Sequence, residues 1–102
     1  MNKTEYLLIH LMEEAAEVQQ AASKCLRFGF DGYNPDDPMR TTNSYDLKQE
    51  LKDLRATEVM LAREGHIECD QNLSGLDLGK KIEKIEHYMN VSKRCGTLND
   101  DP

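Results

Sequence analysis

Glu13-Glu14-Ala15-Ala16-Glu17 lies inside an unbroken run of helix-forming residues, and how it is read decides the fold. Residues 4–28 contain neither Gly nor Pro and are rich in Ala, Leu, Glu and Gln, and Gly29 follows where a C-terminal cap belongs. One long helix is predicted over Thr4 to Phe28. On a helical wheel at about 100° per residue, Leu7, Leu11, Val18, Ala22 and Cys25 share an apolar stripe, with Glu14 at its edge and Glu17 just beyond.

A second stretch, Glu50-Leu51-Lys52-Asp53, repeats the layout. Asn43, or the adjoining Thr42 or Ser44, offers an N-cap, and Asp46 suits the positive end of the dipole in the first turn. The predicted helix runs to about Glu64 and is closed by Gly65. Leu47, Leu51, Leu54 and Leu61 form its stripe, Glu50 borders it and Asp53 lies beyond. Residues three apart on a helix share a face, so Glu14 pairs with Glu17 and Glu50 with Asp53. Four carboxylates beside a packing seam repel one another and lose solvation unless something neutralises them. Two such pairs facing each other would hold a divalent cation. The competing explanation is a solvated acidic face on a bundle, the usual role of Glu-rich helices.

Between these helices, Gly29, Gly32, Pro35 and Pro38 punctuate a long connector over 29–43. Connectors of this length in compact domains are often functional, and this one places Phe28, Phe30 and Tyr33 near Lys24 and Arg27. A base or sugar could rest there, or the rings could plug the bundle's end. Residues 66–76 form a polar connector in which Ile67, Leu73 and Leu76 are placed to pin the chain down as a short turn of helix. A third long helix is predicted from Asp77, as cap, to about Arg94, with Leu78, Ile82, Ile85 and Met89 on one face and Lys81, Lys84 and Tyr88 on another. Gly96 ends it, and residues 97–102 read as an acidic, frayed tail. The fold class expected is all-α: one domain over 1–96, a bundle of three long helices, completed by oligomerisation into a dimer or tetramer because one chain leaves apolar stripes uncovered.

With 102 residues, a net charge of -6 and a pI near 5.0, the chain lacks the basic face that nucleic-acid binding calls for. No apolar run approaches the roughly 20 residues of a membrane span, and the N-terminus has no signal-peptide pattern. A cytoplasmic location is expected. Cys25, Cys69 and Cys95 are odd in number and lack paired spacing, so they read as reduced thiols rather than a disulfide framework or zinc site.

Glu13-Glu14-x-x-Glu17 followed on the next helix by Glu50-x-x-Asp53 resembles the motif of the all-alpha nucleoside triphosphate pyrophosphatases, the MazG-like superfamily. The phrase from Glu13 to Gly32, with Lys24-Cys25-Leu26-Arg27-Phe28-Gly29, is similar to small phage and bacterial members. The resemblance covers roughly residues 5–64. It implies a Mg²⁺-dependent hydrolase, with Mn²⁺ as a substitute, that cleaves a nucleoside triphosphate to the monophosphate and pyrophosphate. Carried over by position, Glu14, Glu17, Glu50 and Asp53 are the metal ligands and catalytic residues, which agrees with the preference of Mg²⁺ for carboxylates, waters and phosphates. Glu14 or Glu17 would take the water's proton.

Lys24 and Arg27, on the face continuing from Glu17, are candidate substrate contacts, as are Lys81 and Lys84; each also reads as an ordinary solvated cation. His10 lies on the side of Glu14 and could reach a base. Asn43 could read a base edge, although a cap role accounts for it. Glu58 falls on the leucine side of the second helix without an evident purpose. Two alternatives stay open: a non-enzymatic helical interaction protein of the same fold, and a phosphoribosyl-ATP pyrophosphohydrolase. A di-iron carboxylate bundle is excluded, since no Glu is followed by His at the required i, i+3 spacing.

Overall fold

The computed structural model describes residues 1–68 and 76–99. It is all-helical: α1 spans Lys3–Phe28, α2 Asn43–Arg63 and α3 Leu76–Arg94. The chain forms two compact units, Met1–Cys69 with α1 and α2, and Asp70–Pro102 with α3. Leu73, on which the expected short helical turn depends, and Cys69 lie outside the described residues, as do residues 100–102 of the tail. Among the described residues no helix is long and apolar enough to cross a membrane.

Helix α1 starts one residue earlier than its periodicity suggests because Asn2 caps it: the Asn2 side chain accepts from the Glu5 amide at 2.8 Å. It ends at Gly29, whose φ of 87° is open to glycine, with the Gly29 amide donating to the Cys25 carbonyl. Thr42 caps α2, its hydroxyl accepting from the Tyr45 amide at 3.2 Å. That frees Asn43 for another task. Buried in the first turn of α2, its side-chain amide donates to the Gly29 carbonyl at 2.9 Å and ties the end of one helix to the start of the next. At the opposite end of the hairpin Lys3 pairs with Glu64 at 2.6 Å, and the Thr4 hydroxyl meets His66 Nε2 at 2.9 Å. The two helices are therefore antiparallel and fastened at both ends.

The seam between them keeps Leu7, Cys25 and Leu61 of the predicted stripes and departs from them elsewhere. On α1 the buried residues are Leu7, Ala21 and Cys25; on α2 they are Asn43, Thr57 and Leu61. Ala21 replaces Ala22, which is exposed, and Leu51 is 48 % exposed where Thr57 is 2 %. The reason is the period. Leu7, Glu14 and Ala21 are spaced by seven, as are Asn43, Glu50 and Thr57, so the contact follows a coiled-coil repeat of 3.5 residues per turn rather than a straight wheel. Ala21 and Thr57 are small enough for close helix approach, and the Thr57 hydroxyl is satisfied by the Asp53 carbonyl at 3.2 Å. Leu7 and Leu61 each contribute roughly 1.5–3 kcal/mol by burial. Glu14 and Glu50 thus occupy the middle of the seam, not its edge.

In the second unit α3 begins before Asp77, which is a helical residue rather than the cap. Its C-terminus is closed by Gly96 at φ 77°, after which the Thr97 and Leu98 amides fold back to the Ser92 carbonyl. Ile82, Ile85 and Met89 remain exposed.

Candidate metal centre

Glu14, Glu50 and Asp53 each place one carboxylate oxygen within 4.8 Å of the others. The seven-residue repeat brings Glu14 and Glu50 into opposition across the seam, and Asp53, one turn further along α2, completes the group from the exposed side. Glu14 is half-buried. Its side chain is 15 % exposed; Oε1 lies 3.5 Å from His10 Nε2, while Oε2 is buried and has no hydrogen-bond partner among the described residues. Buried carboxylate oxygens are ordinarily satisfied. A buried, unsatisfied oxygen on one of three grouped carboxylates suits the donor set a hard divalent cation takes, and the residues fit such an ion.

Electrostatics point the same way. Partial desolvation raises Glu50 above the ordinary glutamate range, and the charges of Glu17, Asp53, Glu14 and Asp46 raise it further. No cation offsets them: among the described residues, neither the Glu50 nor the Asp53 side chain forms a hydrogen bond or ion pair. Glu17 is near enough to act on Glu50 but stands outside the three-oxygen group, and its side chain is exposed.

The other candidates separate. His10 sits against Glu14 and stacks on Tyr6, with ring centroids 6.3 Å apart. Arg27 is engaged with the Phe28 ring, its guanidinium 5.0 Å from the centroid. Lys81 and Lys84 belong to the second unit, where they line a hollow of about 660 Å³ with Ile85, Tyr88 and Leu98. Lys24 lines a cavity of about 810 Å³ in the first unit, bounded by the end of α1, the connector and the start of α2.

That cavity has a constructed wall. Tyr33 and Thr42 form an isolated antiparallel bridge, and the Asn43 and Ser44 amides donate to the Gly32 and Phe30 carbonyls at 2.9 Å. Asp37 accepts from the Met39 and Thr41 amides, which hold its carboxyl below the ordinary aspartate range. Gly32 passes so close to α1 that a Cβ there would lie 2.3 Å from the Phe28 carbonyl oxygen. Asn43 and Asp46 supply the α2 side. Asp46, which as a sequence feature only complements the dipole, extends the acidic face: it lies four residues before Glu50, the spacing that would have marked it. No protein-family model, curated protein or solved structure matches the chain.

Proposed function

We propose that this chain is a nucleoside triphosphate pyrophosphohydrolase dependent on Mg²⁺, with Mn²⁺ able to substitute, as its resemblance to the MazG-like superfamily implies. The observation that carries this reading is the buried, unpartnered Glu14 oxygen grouped with Glu50 and Asp53 at the centre of a helix seam. A structural role does not account for it, because carboxylates there oppose the packing they interrupt.

Glu14, Glu50 and Asp53 would hold the metal. When bound, a divalent cation supplies Lewis-acid stabilisation of charge on phosphate oxygens. The chain's own residues do the rest. His10 lies against Glu14 Oε1, and the buried Oε2 is left without a partner among the described residues. Glu17, exposed and outside the three-oxygen set, accepts the proton of the attacking water as the bond joining the α phosphorus to the α–β bridging oxygen breaks and pyrophosphate departs. Oligomerisation belongs to the same reading, since α1 leaves Leu8, Ile9 and Met12 exposed and α3 leaves Ile82, Ile85 and Met89 exposed. A stable monomer in sedimentation at micromolar concentration would count against it.

The test is pyrophosphate release across the common ribo- and deoxyribonucleoside triphosphates with Mg²⁺ or Mn²⁺, alongside calorimetric titration of the metal. Release that disappears with chelator, together with saturable metal binding, is expected. Metal binding without release from any triphosphate would sink the enzymatic reading, and absence of both would favour an interaction protein.

A further inference from the structure

We infer that the cavity at the connector end of the α1/α2 hairpin is a nucleoside pocket that selects bases bearing an exocyclic amino group. This rests on the triphosphate reading above and extends it from the reacting end of the substrate to its other end.

Asp46 lines the cavity and sits four residues before Glu50 on the same face of α2, close enough for its charge to act on Glu50. Lys24 lines it from α1, seven residues and so about 10 Å along the helix from Glu17. The cavity and the carboxylate group therefore occupy successive stretches of one interhelical cleft. A molecule with its phosphates at Glu14, Glu50 and Asp53 has its nucleoside directed along that cleft.

The cavity is also built to hold a small molecule. Its volume of about 810 Å³ falls in the ordinary range of small-molecule pockets. The wall is held by the Asn43 side chain, the Tyr33–Thr42 bridge, the Asp37 turn and the close passage of Gly32, so the loop is committed to enclosing this space. Two rings line it: Phe28 and Tyr33 are 61 % and 43 % exposed, each with a guanidinium beside it, Arg27 at 5.0 Å and Arg40 at 5.8 Å from the centroids, and planar bases stack on such ring and guanidinium planes.

Lys24 and Asp46 line the same cavity, yet among the described residues neither side chain makes a hydrogen bond or ion pair, with each other or elsewhere. An ionised Asp46 can only accept, so its ligand must present N–H groups; Lys24 can only donate, so the ligand must also present an acceptor. Cytosine, adenine and guanine carry an amino group next to ring or carbonyl acceptors. Uracil and thymine flank their single imino N–H with two carbonyl oxygens, which a carboxylate repels. Asp46 is thereby the discriminating residue and Lys24 a general contact.

Direct binding separates this from hydrolysis. In EDTA, with no metal and no bond to break, the full-length protein is titrated calorimetrically with CMP, AMP, UMP and TMP. CMP and AMP are expected to bind about tenfold more tightly than UMP and TMP, a modest value for a directional base contact. Asp46→Asn, which is isosteric and adds a donor, erases that preference, and Lys24→Met weakens all four alike. Equal affinities in the wild type, no binding at all, a preference that survives Asp46→Asn, or a uniform loss in Asp46→Asn that marks a sugar contact would each overturn the inference. Pyrophosphate release without base preference would leave the metal reading standing and this one refuted; base-selective binding without release would do the reverse.

Discussion

Glu50 and Glu58 lie two turns apart on the same helix and meet opposite fates. Glu58 borders the leucine groove of Leu11, Leu54, Leu61 and Ile67, and is neutralised by Arg55 one turn away. Glu64, at the end of the hairpin, is likewise matched by Lys3, which holds its carboxyl below the ordinary range. Glu50 sits among Glu17, Asp53, Glu14 and Asp46 with no cation partner among the described residues, and is raised. One sequence thus provides partners for acids that serve packing and withholds them at the middle of the seam. The difference separates carboxylates matched by a cation from carboxylates left to repel one another.

The sharpest way to break that distinction is to remove one charge from the middle group. Glu50→Gln or Asp53→Asn should reduce pyrophosphate release by about 100-fold or more, since each deletes a preorganised charge from the transition-state environment, while far-ultraviolet circular dichroism stays unchanged. Glu17→Gln should reduce release comparably but leave metal affinity nearly intact in calorimetry, because Glu17 lies outside the three-oxygen group. Full activity in these variants would return the acids to the status of a solvated face.

Stability gives a second, independent break. Glu50 is raised in the folded state, so its contribution is fully present below the unfolded value of about 4.5 and is lost as pH climbs through the elevated folded value. Glu64 and Asp37, both lowered, behave oppositely: their contributions are present above their unfolded values and fade as pH falls through the depressed ones. Without divalent metal, the melting temperature should therefore rise as pH is brought down from 7 towards about 5. Mg²⁺ or Mn²⁺ should raise the pH 7 value by mass action and flatten the slope. Glu50→Gln should abolish both effects, whereas a slope identical in Glu50→Gln and wild type would show that repulsion in the seam is not its source.

Holding repelling acids together requires fastening elsewhere, and the two ends of the hairpin provide it. Asn43→Ala leaves the Gly29 carbonyl without its partner and should cost about 2 kcal/mol in urea denaturation; Gly32→Ala, which forces a Cβ against the Phe28 carbonyl, should cost a similar 1–3 kcal/mol, roughly. These two positions also show where sequence reading stops. Helix number, class and boundaries were legible because Gly29, Gly65, Gly96 and the runs between them act locally. So was the pairing of Glu50 with Asp53, since i, i+3 spacing is a local property; that Glu14 joins them while Glu17, expected in the same set, stands outside depends on how the two helices face each other. The seam register was not: choosing Ala21 over Ala22 and Thr57 over Leu51 depends on the partner helix and its 3.5-residue repeat. Nor was the lock, because Thr42, Asn43 and Ser44 are all competent caps and only the position of Gly29 in space selects which one caps and which one ties.

The smallest expected effect is also the most discriminating. Glu58→Gln removes an acid of the same type from the same helix, so a general dependence on the charge of α2 would lower metal affinity there as it does at Glu50. Glu58, however, is already matched by Arg55 and lies outside the carboxylate group, so calorimetry should give a metal affinity within about twofold of wild type. Arg55 would keep its other interactions, and helical content should not change. A drop in affinity comparable to that of Glu50→Gln would mean that cations respond to the summed field of the helix, and the three converging oxygens would lose their privileged standing.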